Sequence, residues 1–213
     1  MRGLTLALLV VILLLAGACG TSLVPVPLPE LDEVIEALGY GLAPTSLPEG
    51  FEFDQYDVLG KPDDFDMMPL GGPFASVLYK RYKDYAYHHV VIQYPLSFPP
   101  SVSDDFLLES LGLEWQRPDD AVSKVKVNGE TAYLVRGSWS VETLEQLQKA
   151  DPELLAEYTP EWDYEGLYLS LYFDFELSPD EVVEVMIQAL FYPSEWITAT
   201  ELVKIAESFQ RID

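Results

Sequence analysis

Four places in this 213-residue chain bring together side chains that could do chemistry. His88 and His89 are the only histidines. Neighbours on a strand point to opposite faces, so the pair cannot hold one metal ion without a bulge. With a single cysteine in the chain and none near them, neither a metal site nor a cofactor is expected. Asp63, Asp64 and Asp66 sit in a Gly- and Pro-bounded loop and could offer oxygens to calcium. The loop lacks the glycine and later glutamate of an EF-hand, so a solvated acidic loop is the expectation. Glu161-Trp162-Asp163-Tyr164-Glu165 sets aromatic rings among carboxylates, a combination that can stack on a sugar or a cationic ligand. Trp162, Tyr164 and His88 are therefore the candidate ligand-facing side chains, and the competing reading of the two aromatics is a cap on a sheet. No Gly-x-Ser-x-Gly elbow occurs. With 36 acidic residues, paired carboxylates arise by chance, so no catalytic residue is assigned and a non-enzymatic protein is expected.

The fourth place is Cys19. Arg2 precedes an almost unbroken aliphatic run, Leu4 to Leu15, and Ala16, Gly17 and Ala18 follow it. A charged start, an apolar stretch and small residues before a cut describe an export signal. The run is also shorter than the ~20 residues of a spanning helix. Leu15 to Cys19, LAGAC, resembles the lipobox of bacterial lipoproteins, with Ala16 where leucine is commoner. The resemblance implies cleavage between Ala18 and Cys19 and a diacylglyceryl thioether on Cys19, palmitate being a typical acyl chain. The thiolate is the side-chain nucleophile suited to such a bond. More than one acyl chain is needed for durable anchoring, since each buried CH₂ contributes only about 0.8 kcal/mol. The expected location is the cell membrane, lipid-anchored and facing the extracytoplasmic side.

Loss of residues 1–18 takes Arg2 away and leaves 11 Lys and Arg against 36 Asp and Glu, a net charge of −25. A nucleic-acid partner is excluded on that balance, because phosphate binding needs a basic face, and the longest basic cluster is KRYK at 80–83. Hydrophobic residues make up 49% of the chain, too many for a disordered protein.

Elements able to position these residues follow from periodicity. Residues 19–29 are rich in proline and read as a lipid-anchored tether ahead of a single domain at 30–213. A short helix is expected from Pro29 to Leu38, and Phe51 to Leu59 reads as a first strand. Two β-rich runs, 74–82 and 85–94, make a hairpin, and 103–111 suits a helix. VSKVKV and ETAYLV flank Asn128-Gly129, a pair that tolerates the positive φ of a type I′ turn. Residues 141–160 look like a helical insertion. In LYLSLYFDFE, Leu167, Leu169, Leu171, Phe173 and Phe175 share one face, giving a strand with one buried side. Residues 178–191 begin like a capped helix but alternate like a strand, and the strand is favoured. Thr198 and Glu201 suit a capping box on a terminal helix. The sum is an α+β domain: an antiparallel sheet of about six strands with a C-terminal helix packed on one face.

LPEGF at 47–51, VKVNGETAYLV at 125–135 and ELVKIAESF at 201–209 together resemble a bacterial extracytoplasmic domain of unknown function, found on envelope lipoproteins and some anti-sigma factors. The resemblance implies a binding or sensing role and no catalytic residues. The expected partners are the membrane, through the lipid on Cys19, and an envelope protein or small-molecule ligand. A structural or assembly protein acting through protein–protein contacts is the alternative, and a hydrolase with carboxylates of raised pKa is a third class.

Overall fold

The computed structural model describes residues 23–59, 73–83, 86–96, 117–140, 142–143, 145, 155, 158–164, 168–190 and 197–213. The loop with Asp63, Asp64 and Asp66, the expected helix at 103–111 and most of 141–160 lie outside these residues, as does Glu165.

The described residues form one seven-stranded antiparallel sheet with smaller ribbons and two helices, which is the α+β class the sequence suggests. In chain order the elements are β1 (Leu23–Pro25), α1 (Asp32–Leu38), β2 (Gly41–Pro44), β3 (Ser46–Pro48), β4 (Glu52–Leu59), β5 (Phe74–Lys83) and β6 (Ala86–Tyr94). There follow β7 (Val122–Val127), β8 (Glu130–Arg136), β9 (Ser138–Trp139), β10 (Trp162–Asp163), β11 (Tyr168–Ser178) and β12 (Glu181–Leu190). The chain closes with α2 (Ala199–Glu207) and β13 (Phe209–Ile212). The large sheet runs β4-β5-β6-β12-β11-β8-β7, so three hairpins lie side by side and β4 lines one edge. Six strands were expected and seven are found. The strand favoured at 178–191 is among them, alternation prevailing over the helix-like start: Val183, Val185, Ile187 and Ala189 turn inward against Phe175, Phe173, Leu171 and Leu169. A strand lets β11 shed both rows of ladder hydrogen bonds onto neighbours, which a helix at this position would not.

Asn128 and Gly129 adopt φ of 50° and 90°, the turn expected between β7 and β8. The edges are defended by charge: Glu52, Asp54 and Asp57 on β4, Lys124 and Lys126 on β7.

The inner face of the sheet carries Val77, Tyr79, Val90, Ile92, Leu171 and Ile187, all fully buried. Helix α2 covers this face with Leu202, Ile205 and Ala206. It starts at a capping box: Thr198 Oγ1 accepts from Glu201 N at 3.2 Å, and Glu201 Oε2 accepts from Thr198 N at 2.6 Å. The helix is not the last element. Its C-cap, Ser208, leads straight into β13, which pairs with β2. The Ser208 carbonyl accepts from both Thr45 N and Thr45 Oγ1, joining the two ends of the domain. Tyr94, fully buried, reaches from β6 to accept the Leu42 N–H at 2.8 Å. The Tyr94–Pro95 peptide is cis.

Leu23–Pro25, expected within a free tether, instead pairs with Ser46–Pro48, and Leu23 and Val26 pack against the core. A two-stranded ribbon suits proline, which has no N–H to leave unpaired at a ladder edge. Among the described residues no helix is long and apolar enough to cross a membrane.

Candidate functional site

The outer face of the sheet was expected to be solvated, yet β11 is buried on both sides from Leu169 to Phe173. The cause is a small second core, in which Val135, Tyr172 and Met186 pack together beneath Leu96, Val122, Tyr133 and Trp162. Trp162 arrives on β10, which among the described residues pairs only with β9, Trp162 standing opposite Trp139.

Gly137 makes this corner. Its φ is +90°, and a Cβ there would stand 2.3 Å from the Asp163 carbonyl oxygen and 2.8 Å from Trp162 Nε1. No side chain fits, so the chain can turn out of β8 against β10 only at glycine. Trp162 Nε1 donates to the Arg136 carbonyl at 3.1 Å, and its ring meets buried Trp139 edge-on, centroids 5.2 Å apart. Indole area, ring geometry and a satisfied N–H all point the same way, toward Trp162 as the lid of the second core. The intervening segment is fastened at its two ends. Thr143, fully buried, accepts from Glu161 N at 3.0 Å and shares hydrogen bonds with Ser140 Oγ and Tyr158 Oη. Ser140 N donates to the Glu161 carbonyl at 2.8 Å.

Tyr164 lies just beyond Trp162, and its side is open. It is 40% exposed, and its hydroxyl donates to Asp120 Oδ1 at 2.5 Å. That hydrogen bond, first among the causes, raises the Tyr164 pKa, because ionisation would put a phenolate against a carboxylate. The result is an exposed aromatic face with its outer rim fixed beside the Asp120 carboxylate.

Further along the outer face, one rung past Tyr172 and Met186, Asp174 stands directly opposite Glu184. Burial, and secondly the Asp174 charge, raises the Glu184 carboxyl from its ordinary 4.5 to about 7. Between these features Gln188 Nε2 donates to Ser170 Oγ at 3.2 Å. The open aromatic ring of Tyr164 and the Asp174–Glu184 carboxyl pair are thus two separate polar features, with the buried second core lying under Trp162 between the Gln188–Ser170 rung and the carboxyl pair.

The structure does not bring His88 to this site. His88 is 2% exposed and lies on the inner face, across from Arg81. His89 lies on the outer face, half-buried, its ring parallel to Tyr87 at 6.3 Å. The two histidines do point to opposite faces, as strand geometry requires. Among the described residues no three His, Cys, Asp or Glu side chains gather where a metal ion could be held.

Sequence reasoning missed Asp120, Gly137 and Thr143. Asp120 is 44 positions from Tyr164, and no local pattern encodes that contact. Gly137, following the strand run ETAYLVR, is a breaker signal that could have been read. No protein family, curated protein or solved structure matches this chain.

Proposed function

We propose that this is an exported lipoprotein, held to the membrane by lipid on Cys19, whose domain is a binding or sensing module. The outer face at Tyr164 is its ligand surface, and no reaction is assigned to it. The observation that carries the binding assignment is the Tyr164 ring, exposed yet pinned at its hydroxyl by Asp120. A ring already held in place loses little freedom on contact, which favours stacking on a ligand. The signal-like first 18 residues and LAGAC support the anchor. The net charge of −24 favours a neutral or cationic ligand over an anionic one.

The test is native mass spectrometry of protein extracted from its own membrane in a non-denaturing detergent. Wild type is expected to carry an added mass that Tyr164→Ser and Asp120→Asn each reduce. An added mass indifferent to both substitutions would overturn Tyr164 as the ligand surface. Protein present wholly as a simple multiple of the chain would favour the assembly reading instead.

A further inference from the structure

Strand β1 begins at Leu23, only four residues after Cys19. A chain advances at most about 3.6 Å per residue, so a lipidated Cys19 holds Leu23 within roughly 14 Å of itself. The headgroup layer of one leaflet is roughly 5–8 Å deep. A domain so closely held does not stand off on a stalk. One of its ends must lie against the bilayer.

Register identifies which end. Leu23 stands opposite Pro48, and the next residue, Glu49, accepts at its carbonyl from Arg81 Nη1 at 3.3 Å. Arg81 also lies over the Phe51 ring, 4.7 Å from its centroid. On the adjoining strand Arg81 faces His88, and the next rung is Tyr82 opposite Tyr87. The point where the chain enters the fold and the tip of the β5–β6 hairpin therefore share one end of the molecule.

That tip carries the two most exposed large hydrophobic side chains among the described residues: Tyr82, 61% exposed, and Tyr87, 60%. Their rings lie 5.0 Å apart, and His89 stacks on Tyr87. Neither packs into the core, so folding alone gives no reason for two bare aromatic rings here. Tyrosine, with an apolar body and a polar tip, is the side chain that settles at headgroup depth. Lys80, on the same face, is paired with Asp54, and Glu49 and Glu52 add negative charge nearby. The contact is therefore aromatic rather than electrostatic, and suits a zwitterionic surface.

We infer that this end of the domain, with Tyr82 and Tyr87 at its tip, docks on the lipid bilayer that holds Cys19. The inference rests on the lipid-anchor reading. Its consequence reaches the ligand surface: Gly137 N donates to the Tyr168 carbonyl, Tyr168 faces Leu190, and Leu190 faces His89. The Trp162–Tyr164 corner is thus on the membrane-proximal end of the sheet, and its ligand is met close to the bilayer. The β11–β12 turn, with Val182 58% exposed, is at the far end.

A thioether blocks the chain's only thiol, so one introduced cysteine can be labelled selectively in the acylated protein. Acylated Glu49→Cys and Val182→Cys, each carrying a fluorophore, are placed in phosphatidylcholine vesicles with brominated acyl chains. Bromine is expected to quench the label at position 49 and leave that at 182 bright. Adding Tyr82→Ser and Tyr87→Ser to the Glu49→Cys protein is expected to relieve the quenching without lowering the melting temperature. Equal signals at 49 and 182, with acyl mass present, overturn the docked orientation alone. Quenching that survives both tyrosine substitutions overturns the tyrosines as the contact. A chain without acyl mass, whose Cys19 thiol takes the label, overturns the anchor and the docking together.

Discussion

At the scale of single residues, two buried tyrosines with opposite circumstances make a sharp comparison. The Tyr94 hydroxyl accepts the Leu42 N–H deep in the core, whereas the Tyr79 hydroxyl has no hydrogen-bond partner among the described residues. Burial raises the pKa of both. Tyr94→Phe strands a buried backbone donor and is expected to cost about 1–3 kcal/mol in urea unfolding. Tyr79→Phe removes a hydroxyl without a hydrogen-bond partner among the described residues and is expected to be neutral or stabilising; an equal loss for both would contradict this hydrogen-bond assignment. Glu184 gives a pH prediction. Its folded pKa of about 7 lies above the ordinary 4.5, so the fold favours the protonated carboxyl. The stability this group contributes is complete below about pH 4.5 and lost as pH rises through about 7. Glu184→Gln keeps the shape without the charge. After discounting for its partial exposure, the variant should be about 1 kcal/mol more stable than wild type at pH 8, and no more stable than it at pH 4. Thermal melts across pH 4–8 check the sign.

At the scale of elements, the β9–β10 corner depends on one glycine. Gly137→Ala puts a Cβ into the Asp163 carbonyl and asks alanine for a φ of +90°. The expected result is loss of the near-ultraviolet circular dichroism of the Trp139–Trp162 pair, with about 2–4 kcal/mol lost in unfolding and the large sheet's far-ultraviolet signal retained. Retention of the tryptophan signal would show that the corner is not built on Gly137. Elements with strong local signals were legible in the sequence. Asn128-Gly129 fixed its hairpin through backbone conformation, Thr198 and Glu201 fixed the start of α2 through reciprocal hydrogen bonds, and alternation at 183–189 marked β12. Elements made by long-range pairing were not. Leu23–Pro25 looked like a proline tether because its partner, Ser46–Pro48, can be named only once the fold exists. The second core escaped because Ser170 and Tyr172 read as a solvent-facing row, and its cover includes Trp162, brought in by the β9–β10 ribbon, beside Leu96, Val122 and Tyr133. Of the candidate site, the aromatic pair was visible as composition. Its division into a packed Trp162 and an open Tyr164 was not, since that depends on Arg136 and Asp120.

At the scale of the whole molecule, charge and attachment dominate. A net charge of −24 makes the folded chain repel itself, and added salt screens that repulsion. Raising salt from 0.01 to 0.15 M shortens the screening length from about 30 to about 8 Å and should raise the melting temperature by about 2–4 °C. A fall would mean that attractive pairs such as Lys80–Asp54 outweigh the repulsion. Attachment is the other part of the proposal: a lipid on Cys19, four residues before the first strand, would hold the domain at the membrane surface. The most direct measurement is the denatured mass of the protein isolated from the membrane of its own cell. A chain beginning at Cys19 and heavier by a diacylglyceryl group is the expected result. An unmodified chain that still begins at Met1 would contradict it.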